Sequence, residues 1–368
     1  MSNHSEISTA SDFTPSPVGT IFNPLPREIS GVTRVKDEIT IRYPSRLDAM
    51  STDPSRLTKN ANSVYTSGQI DFAIKVFRTV NVKSTGTKGE ISITPSTERH
   101  VLINHAVALM RAALHVDDGY QIDVKEDVRL RHCGLGSSSA LITSVACAIN
   151  ELYGNPITDK EMVKYAAQNH GEEIDDNPDM INPVQSMGGS AASGTYQGGL
   201  IIIGGENVVI KTMYIPDKYD VVIGVPRDFE PSDSKTLMDM EIQNLHKFYR
   251  TGMRYRNVIA YRLLHECFPA IEEGDLKPIG DLIFDYRYKM GSIRNCSFVY
   301  PPLVKLANSV AFLKEEGVAD VLSVSSVGPG IFAITENADY CREVFEGRNM
   351  NTMVTKIHNG RYEIASES

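Results

Sequence analysis

The sequence lacks the features that mark membrane, secreted and disulfide-linked proteins. Its densest aliphatic run, Leu200–Ile203, is four residues long, which is far below the roughly 18 residues of a membrane span and predicts a buried strand. Residues 1–10 have neither a basic nor an apolar stretch, so we expect no secretory signal. The five cysteines are widely spaced and form no Cys-x-x-Cys pair, which indicates reduced thiols. These absences predict a cytoplasmic protein.

An excess of positive charge is also absent. The chain has 37 Lys and Arg against 46 Asp and Glu, a formal net charge of −9. A general nucleic-acid coat needs a surplus of cationic side chains to neutralise phosphates, and this chain has none. At 368 residues it can bury a large core without disulfide or metal staples. We therefore expect an enzyme with small-molecule substrates and with neither nucleic-acid nor membrane partners.

The distribution of patterns along the chain predicts three regions. Residues 1–36 are rich in Ser, Thr and Pro without periodicity, which predicts a flexible N-terminal segment. Residues 37–215 are dominated by alternating strands, with helical spacing at 101–114 and 138–169. Residues 216–368 combine long helical patterns with a closing β-α-β unit. Strands in one block and helices in the next predict an α+β protein of two lobes, the second of them α/β in character.

One stretch carries the clearest chemical signal: Gly134-Leu135-Gly136-Ser137-Ser138-Ser139, followed by the apolar helical pattern 140–152. The two glycines allow the backbone to turn with its N–H groups facing inward. A helix N-terminus offers unpaired N–H donors and the positive end of the dipole, so it favours a phosphate. Serines at such a position also act as ordinary helix caps. The full string favours phosphate binding over a plain cap.

That string resembles the phosphate loop of the GHMP kinase superfamily. The resemblance implies a two-lobed GHMP-kinase-like fold with a ribosomal S5-like N-terminal lobe. Most kinases of the superfamily carry a later Gly-x-x-Ser-Gly-x-Asp segment whose Asp acts on the attacking hydroxyl. The counterpart here, 188–196, has Thr195 and Tyr196 where the Asp would stand. A hydroxyl that has to lose its proton during phosphoryl transfer therefore lacks its usual base.

Four collinear segments instead resemble the β-ribofuranosylaminobenzene 5′-phosphate synthases, a branch of the superfamily whose members are not kinases. The segments are Pro44-Ser45-Arg46-Leu47, Ser67–Ile74, Gly188–Gly205 and Ser325–Ile334. The resemblance implies catalytic roles for Arg46 and Asp48, and it adds Ser190, Ser193 and Gly328 to the phosphate-binding residues of the loop. The chain departs from the branch at Asp48, where His is usual, and at Asp71, where Gly is usual. Its serine-rich loop is closer to that of the kinases.

Members of that branch join phosphoribosyl pyrophosphate to an aromatic carboxylic acid, with loss of pyrophosphate and CO2. The resemblance therefore implies a C-glycoside synthase acting on an aromatic or heteroaromatic acid. A departing pyrophosphate calls for Mg²⁺ as cofactor, and Asp175 and Asp176 are the candidate ligands in the acidic run 172–179. A solvated acidic loop is the competing interpretation of that run. A homodimer is left open.

Further cations and two other functions stay open. Arg250 and Arg254 stand one helical turn apart, and Arg227 follows a strand, so each could bind a phosphate or a carboxylate. The first alternative function is an ATP-dependent small-molecule kinase, in which Asp175, Asp176 or Asp179 would replace the missing base. The second is a non-catalytic relative that only binds a phosphate-containing ligand.

Overall fold

A computed structural model describes residues 14–57, 66–128, 133–184 and 186–368. Within these ranges the strands form three sheets. The strands are β1 (Ser16–Pro17), β2 (Glu38–Ser51), β3 (Gln69–Ser84), β4 (Ile91–Ile93), β5 (Tyr120–Glu126), β6 (Gly171–Ile174), β7 (Asn177–Pro183), β8 (Leu200–Ile203), β9 (Val209–Met213), β10 (Asp220–Pro226), β11 (Val321–Val324), β12 (Ile331–Thr335), β13 (Met350–Thr355) and β14 (Glu363–Glu367). The α-helices are α1 (His100–Leu114), α2 (Ser137–Leu152), α3 (Asp159–Gln168), α4 (Gly189–Thr195), α5 (Ser234–Arg262), α6 (Phe268–Glu273), α7 (Lys277–Phe284), α8 (Ser292–Cys296), α9 (Leu303–Asn308), α10 (Phe312–Glu315) and α11 (Ala338–Glu346).

The largest sheet is built on two long antiparallel strands, β2 and β3, in the order β14-β2-β3-β5-β4, with β8 and β9 continuing from β3. Asp48 pairs with Asp71 across these strands, and Leu47 pairs with Phe72. Because successive side chains on a strand point to opposite faces, Arg46, Asp48 and Asp71 share one face. Leu47 and Phe72 lie on the other face, in a core shared with C-terminal strands.

Helix α2 is anchored in the core of the first lobe. It is buried continuously from Ala140 to Leu152, because its sequence is made almost entirely of small and aliphatic residues. Its Val145 joins Ile41 and Val82 of the sheet in one hydrophobic cluster, to which α1 also contributes. The helix that follows the glycine-rich loop is therefore held rigidly by packing.

The C-terminal half contains a four-stranded antiparallel sheet in the order β11-β12-β10-β13. Two π-helical turns, Leu263–Cys267 and Asp285–Lys289, extend α5 and α7. The last strand, β14, pairs with β2 and so returns to the first sheet. The α+β class is confirmed, whereas a boundary between residues 215 and 216 stays a prediction. Among the described residues, no helix combines the length and apolar character of a membrane-spanning segment.

The N-terminal segment requires a correction. Residues 1–36 were expected to be flexible, but β1 pairs with β7, and the backbone N–H groups of Phe22 and Asn23 donate to the Asn169 side-chain oxygen at 2.7 and 2.9 Å. The composition gave no sign of this docking, because one buried asparagine rather than a periodic apolar face provides it. The expectation is wrong for 14–36, and residues 1–13 lie outside the described part of the chain.

Candidate functional site

The glycine-rich loop turns immediately before α2, as the sequence predicts. Gly134 and Gly136 have φ angles of 86° and 70°, in the left-handed region that favours glycine. A Cβ on Gly134 would lie 2.3 Å from the Ser325 carbonyl oxygen, and one on Gly136 would lie 2.3 Å from Ser190 Oγ. Both positions therefore need glycine for conformation and for space. The helix dipole and the first unpaired N–H groups of α2 lie directly beyond this turn.

A cavity of about 260 Å³ lies at this loop. Its walls bring together segments that are distant in the sequence. The lining residues used below are Arg46 and Asp48 from β2, Gln69 from β3, the loop residues Gly134 to Ser139, His170 and Glu172 from the β6 region, Leu237, Met238, Glu241, Leu245 and Phe248 from α5, Tyr286 and Arg287 from a π-helical turn, and Ser326 and Gly328. The predicted loop residues, Arg46, Asp48 and Gly328 thus line one cavity. Whether they bind phosphate stays a prediction.

Arg46 lies between the loop and the sheet. Its Nη1 donates to the Gly134 carbonyl oxygen at 2.8 Å, and its Nε is 3.5 Å from Asp71 Oδ1. A Cβ on Gly136 would lie 3.0 Å from that Nε, so the loop packs directly on the guanidinium. The side chain is 12% exposed. Arg46 therefore presents a fixed positive charge at the phosphate loop.

Asp71 is the buried partner on the neighbouring strand. Burial raises the pKa of its carboxyl well above the usual range, and nearby Asp48 adds to this, while the Arg46 charge and the Gln69 hydrogen bond oppose it. Gln69 Nε2 donates to Asp71 Oδ2. A Cβ on Gly189 would collide with both side chains, so α4 approaches the sheet closely only through that glycine. Asp71 favours the neutral acid, which leaves the Arg46 charge available to a ligand.

A second charged cluster, around Arg99, supports the loop from the other side. Arg99 has a φ of 61° and donates to Ser137 Oγ at 3.1 Å and Ser138 Oγ at 2.8 Å. It also pairs with Glu172 at 3.3 Å and Glu173 at 2.7 Å. The sequence analysis missed Arg99, because nothing in the pattern around it distinguishes it from a surface arginine at a helix start.

Glu172 is the carboxylate of the acidic run that reaches the cavity. Burial alone would raise its pKa, but hydrogen bonds from His170 and Ser138, together with the Arg99 charge, lower the pKa to about 2. His170 Nε2 lies 3.2 Å from Glu172 Oε1. Glu172 is therefore held ionised next to the serines of the loop. The acidic run was recognised in the sequence, but the wrong members of it were chosen.

Several predicted site residues lie elsewhere. Asp175 and Asp176 form the exposed turn between β6 and β7 and do not line the cavity, so they are not positioned as ligands there. The physical reason is that a two-residue hairpin turn projects away from the body of the fold. Arg227, Arg250 and Arg254 are likewise exposed and outside the lining.

The two predicted serines of α4 differ from each other. Ser190 Oγ donates to the Gly136 carbonyl oxygen at 3.2 Å, so it supports the loop without lining the cavity. Ser193 is fully buried, and its hydroxyl has no partner. At the position of the kinase base, Thr195 is buried and its Oγ1 donates to the Ala191 carbonyl oxygen at 2.9 Å. The end of α4 therefore offers no group that could accept a proton from a substrate hydroxyl.

Comparison with known proteins places this architecture. Residues 101–180 match the family model described as GHMP kinases N terminal domain. The chain is also 23% identical over 291 residues to the β-ribofuranosylphenol 5′-phosphate synthase of Archaeoglobus fulgidus, and the alignment covers 70% of this chain and 80% of that protein. The resemblance inferred from the motifs is confirmed at the level of the superfamily and by similarity to this synthase.

Solved structures show the same fold. The homoserine kinase of Cytophaga hutchinsonii is 15% identical, with a TM-score of 0.60, and the match covers 91% of this chain and 99% of that one. The mevalonate diphosphate decarboxylase of Staphylococcus aureus is 14% identical, with a TM-score of 0.61, and the match covers 90% of this chain and 98% of that one. The chain therefore has the two-lobed GHMP kinase fold, which hosts more than one kind of reaction.

Proposed function

We propose that this protein is a phosphoribosyl-transferring C-glycoside synthase that joins phosphoribosyl pyrophosphate to an aromatic or heteroaromatic carboxylic acid. The observation that carries the proposal is a loop suited to anions and packed on Arg46, next to an α4 that ends in a buried threonine instead of a carboxylate. Such a site can hold pyrophosphate but lacks the usual base for phosphorylating a hydroxyl. The similarity to the archaeal synthase supports the same conclusion.

The proposed reaction needs no proton transfer at the ring. A π-electron pair of the acceptor forms the bond to ribose C1, and the electrons of the C1–O bond leave with pyrophosphate. The bond between the ring and the carboxylate then breaks, CO2 departs, and its electron pair restores aromaticity. The protein has to stabilise the charge on the leaving pyrophosphate, a task suited to the fixed N–H groups of the loop and to Arg46.

Magnesium would suit this site as an ion that arrives with the substrate. The described residues contain no group of three or more His, Cys, Asp or Glu side chains that could hold a metal ion. Mg²⁺ is commonly bound through one or two carboxylates together with substrate phosphates and water. The ionised Glu172, next to Ser138, fits that donor set, and the bound ion would offset charge on the pyrophosphate oxygens.

A kinase is the second candidate, and one observation favours it. Asp48 places a carboxylate at the cavity, and a carboxylate there could take over the role of the missing base. The positions first considered for that role, Asp175, Asp176 and Asp179, do not line the cavity. The kinase hypothesis therefore now depends on Asp48 alone among the carboxylates named for it.

The deciding experiment supplies phosphoribosyl pyrophosphate with a panel of carboxyl-¹⁴C aromatic acids and measures pyrophosphate and labelled CO2. A parallel set supplies ATP with small alcohols and measures ADP. We expect pyrophosphate and labelled CO2 in equal amounts, and no acceptor-dependent ADP. ADP formation without labelled CO2 would transfer the assignment to the kinase. Ligand binding without either reaction would indicate the non-catalytic relative.

A further inference from the structure

Asp48 stands out in the cavity because its carboxylate has no protein partner. The residue is 3% exposed and lines the cavity. Among the described residues, no group donates a hydrogen bond to its carboxylate oxygens, and no Lys, Arg or His forms an ion pair with them. A buried carboxylate without a donor is unfavourable. A donor supplied by a ligand would remove that penalty.

The surroundings of Asp48 hold its backbone in place. Its N–H donates to Ser325 Oγ at 3.0 Å, and its carbonyl oxygen accepts from the Ser326 N–H at 2.9 Å and from Arg287 Nη2 at 3.1 Å. Arg287 is itself buried and has further bonds to the Ala49 and Ser326 carbonyl oxygens. Arg287 therefore spends its donors on the backbone, and the Asp48 side chain is left to the cavity.

Helix α5 supplies an apolar wall to the same cavity. Leu237, Leu245 and Phe248 line it from positions on one side of the helix, and Tyr286 adds an aromatic ring. A ligand between this wall and β2 would have an apolar body and a polar group that reaches the carboxylate. A flat aromatic ring with an N–H or O–H substituent meets both requirements.

We propose that Asp48 selects the acceptor by receiving a hydrogen bond from a ring hydroxyl or amino group. This inference rests on the proposed function and identifies the acceptor as a hydroxy- or amino-substituted aromatic acid. The hydrogen bond to a carboxylate also increases the electron-donating character of the substituent. The ring carbon that attacks ribose C1 becomes more nucleophilic as a result. Asp48 thus determines specificity and strengthens the nucleophile.

Binding of matched probes to the full chain tests this role. Calorimetry compares 4-hydroxybenzoate with benzoate, in wild type and in Asp48→Asn and Asp48→Ala. We expect wild type to bind the hydroxy compound about 10-fold or more tightly, since a hydrogen bond to a charged group has this strength, and both variants to reduce the ratio to about 2 or less. Glu241→Gln removes a different cavity carboxylate and leaves the ratio unchanged. Thermal unfolding verifies that each variant is folded.

Two results would overturn the role of Asp48. The first is a wild-type ratio near 1, and the second is a ratio that persists in the folded Asp48 variants. A fall in Mg²⁺ affinity in Asp48→Asn, with the ratio intact, would reassign the carboxylate to a metal site. These measurements need no turnover. A ratio that depends on Asp48, in a protein that releases neither pyrophosphate nor CO2, would support this inference and refute the synthase.

Discussion

The two ends of the cavity are built in different ways. The phosphate end comes mainly from one contiguous segment, Gly134 to Ser139, at the start of a buried helix. The acceptor end is assembled from β2, α5 and the π-helical turn around Arg287. A contiguous turn is specified locally by glycine conformation, whereas the acceptor end exists only once the two lobes have packed. The phosphate end should therefore fail through local changes, and the acceptor end through changes in packing.

The largest effect is expected from Gly136→Val. The residue has a positive φ, and a Cβ there would collide with Ser190 Oγ, so the loop cannot keep its present form. Titration with inorganic pyrophosphate should show an affinity loss of about 100-fold or more, from strain and overpacking together. Gly274→Val is the matched control, because Gly274 also has a positive φ but has open space around it. Gly274→Val should lose stability and keep the affinity. Unchanged pyrophosphate binding in folded Gly136→Val would remove the loop from the site.

The contrast between the two ends also explains what could be predicted from sequence. The turn, the start of α2 and the α+β class follow from glycine, serine and apolar periodicity within short windows. Arg99 and Arg287 could not be found, because their roles come from partners far along the chain, such as Ser138 and the Asp48 carbonyl oxygen. Asp175 was chosen over Glu172 because sequence shows an acidic run but not which members a hairpin turns inward.

Removal of divalent metal is the next test of the phosphate end. If pyrophosphate is the leaving group, EDTA treatment should reduce synthase activity by about 100-fold or more, and Mg²⁺ or Mn²⁺ should restore it, because the ion offsets developing charge. Glu172→Gln should raise the Mg²⁺ concentration needed for half-maximal activity. The double variant Asp175→Asn, Asp176→Asn should not, since both residues lie outside the cavity lining. Full activity after exhaustive chelation would count against both the synthase and the kinase.

Arg287→Met tests the packing of the acceptor end. Arg287 joins β2 to the C-terminal half by bonds to the carbonyl oxygens of Ala49, Asp48 and Ser326. Its loss leaves buried acceptors without donors, so we expect the free energy of unfolding in urea to fall by about 2–4 kcal/mol. Arg250→Met, at an exposed arginine, should change it by less than about 0.5 kcal/mol. Equal effects of the two changes would show that Arg287 does not join the lobes.

The smallest effect concerns the pH dependence of stability at Glu172, on the boundary of the phosphate end. Its pKa is lowered from 4.5 to about 2 in the fold. A carboxyl with a lowered folded-state pKa stabilises the protein above its unfolded-state pKa, and this contribution disappears as the pH falls through the folded-state value. Wild type should therefore exceed Glu172→Gln in unfolding free energy by on the order of 2 kcal/mol at pH 6, and the difference should shrink between pH 4.5 and pH 2. Asp175→Asn, on the exposed turn of the same hairpin, controls for a general loss of negative charge. A wild-type advantage that stays constant down to pH 2 would mean that Glu172 stabilises the loop by shape alone.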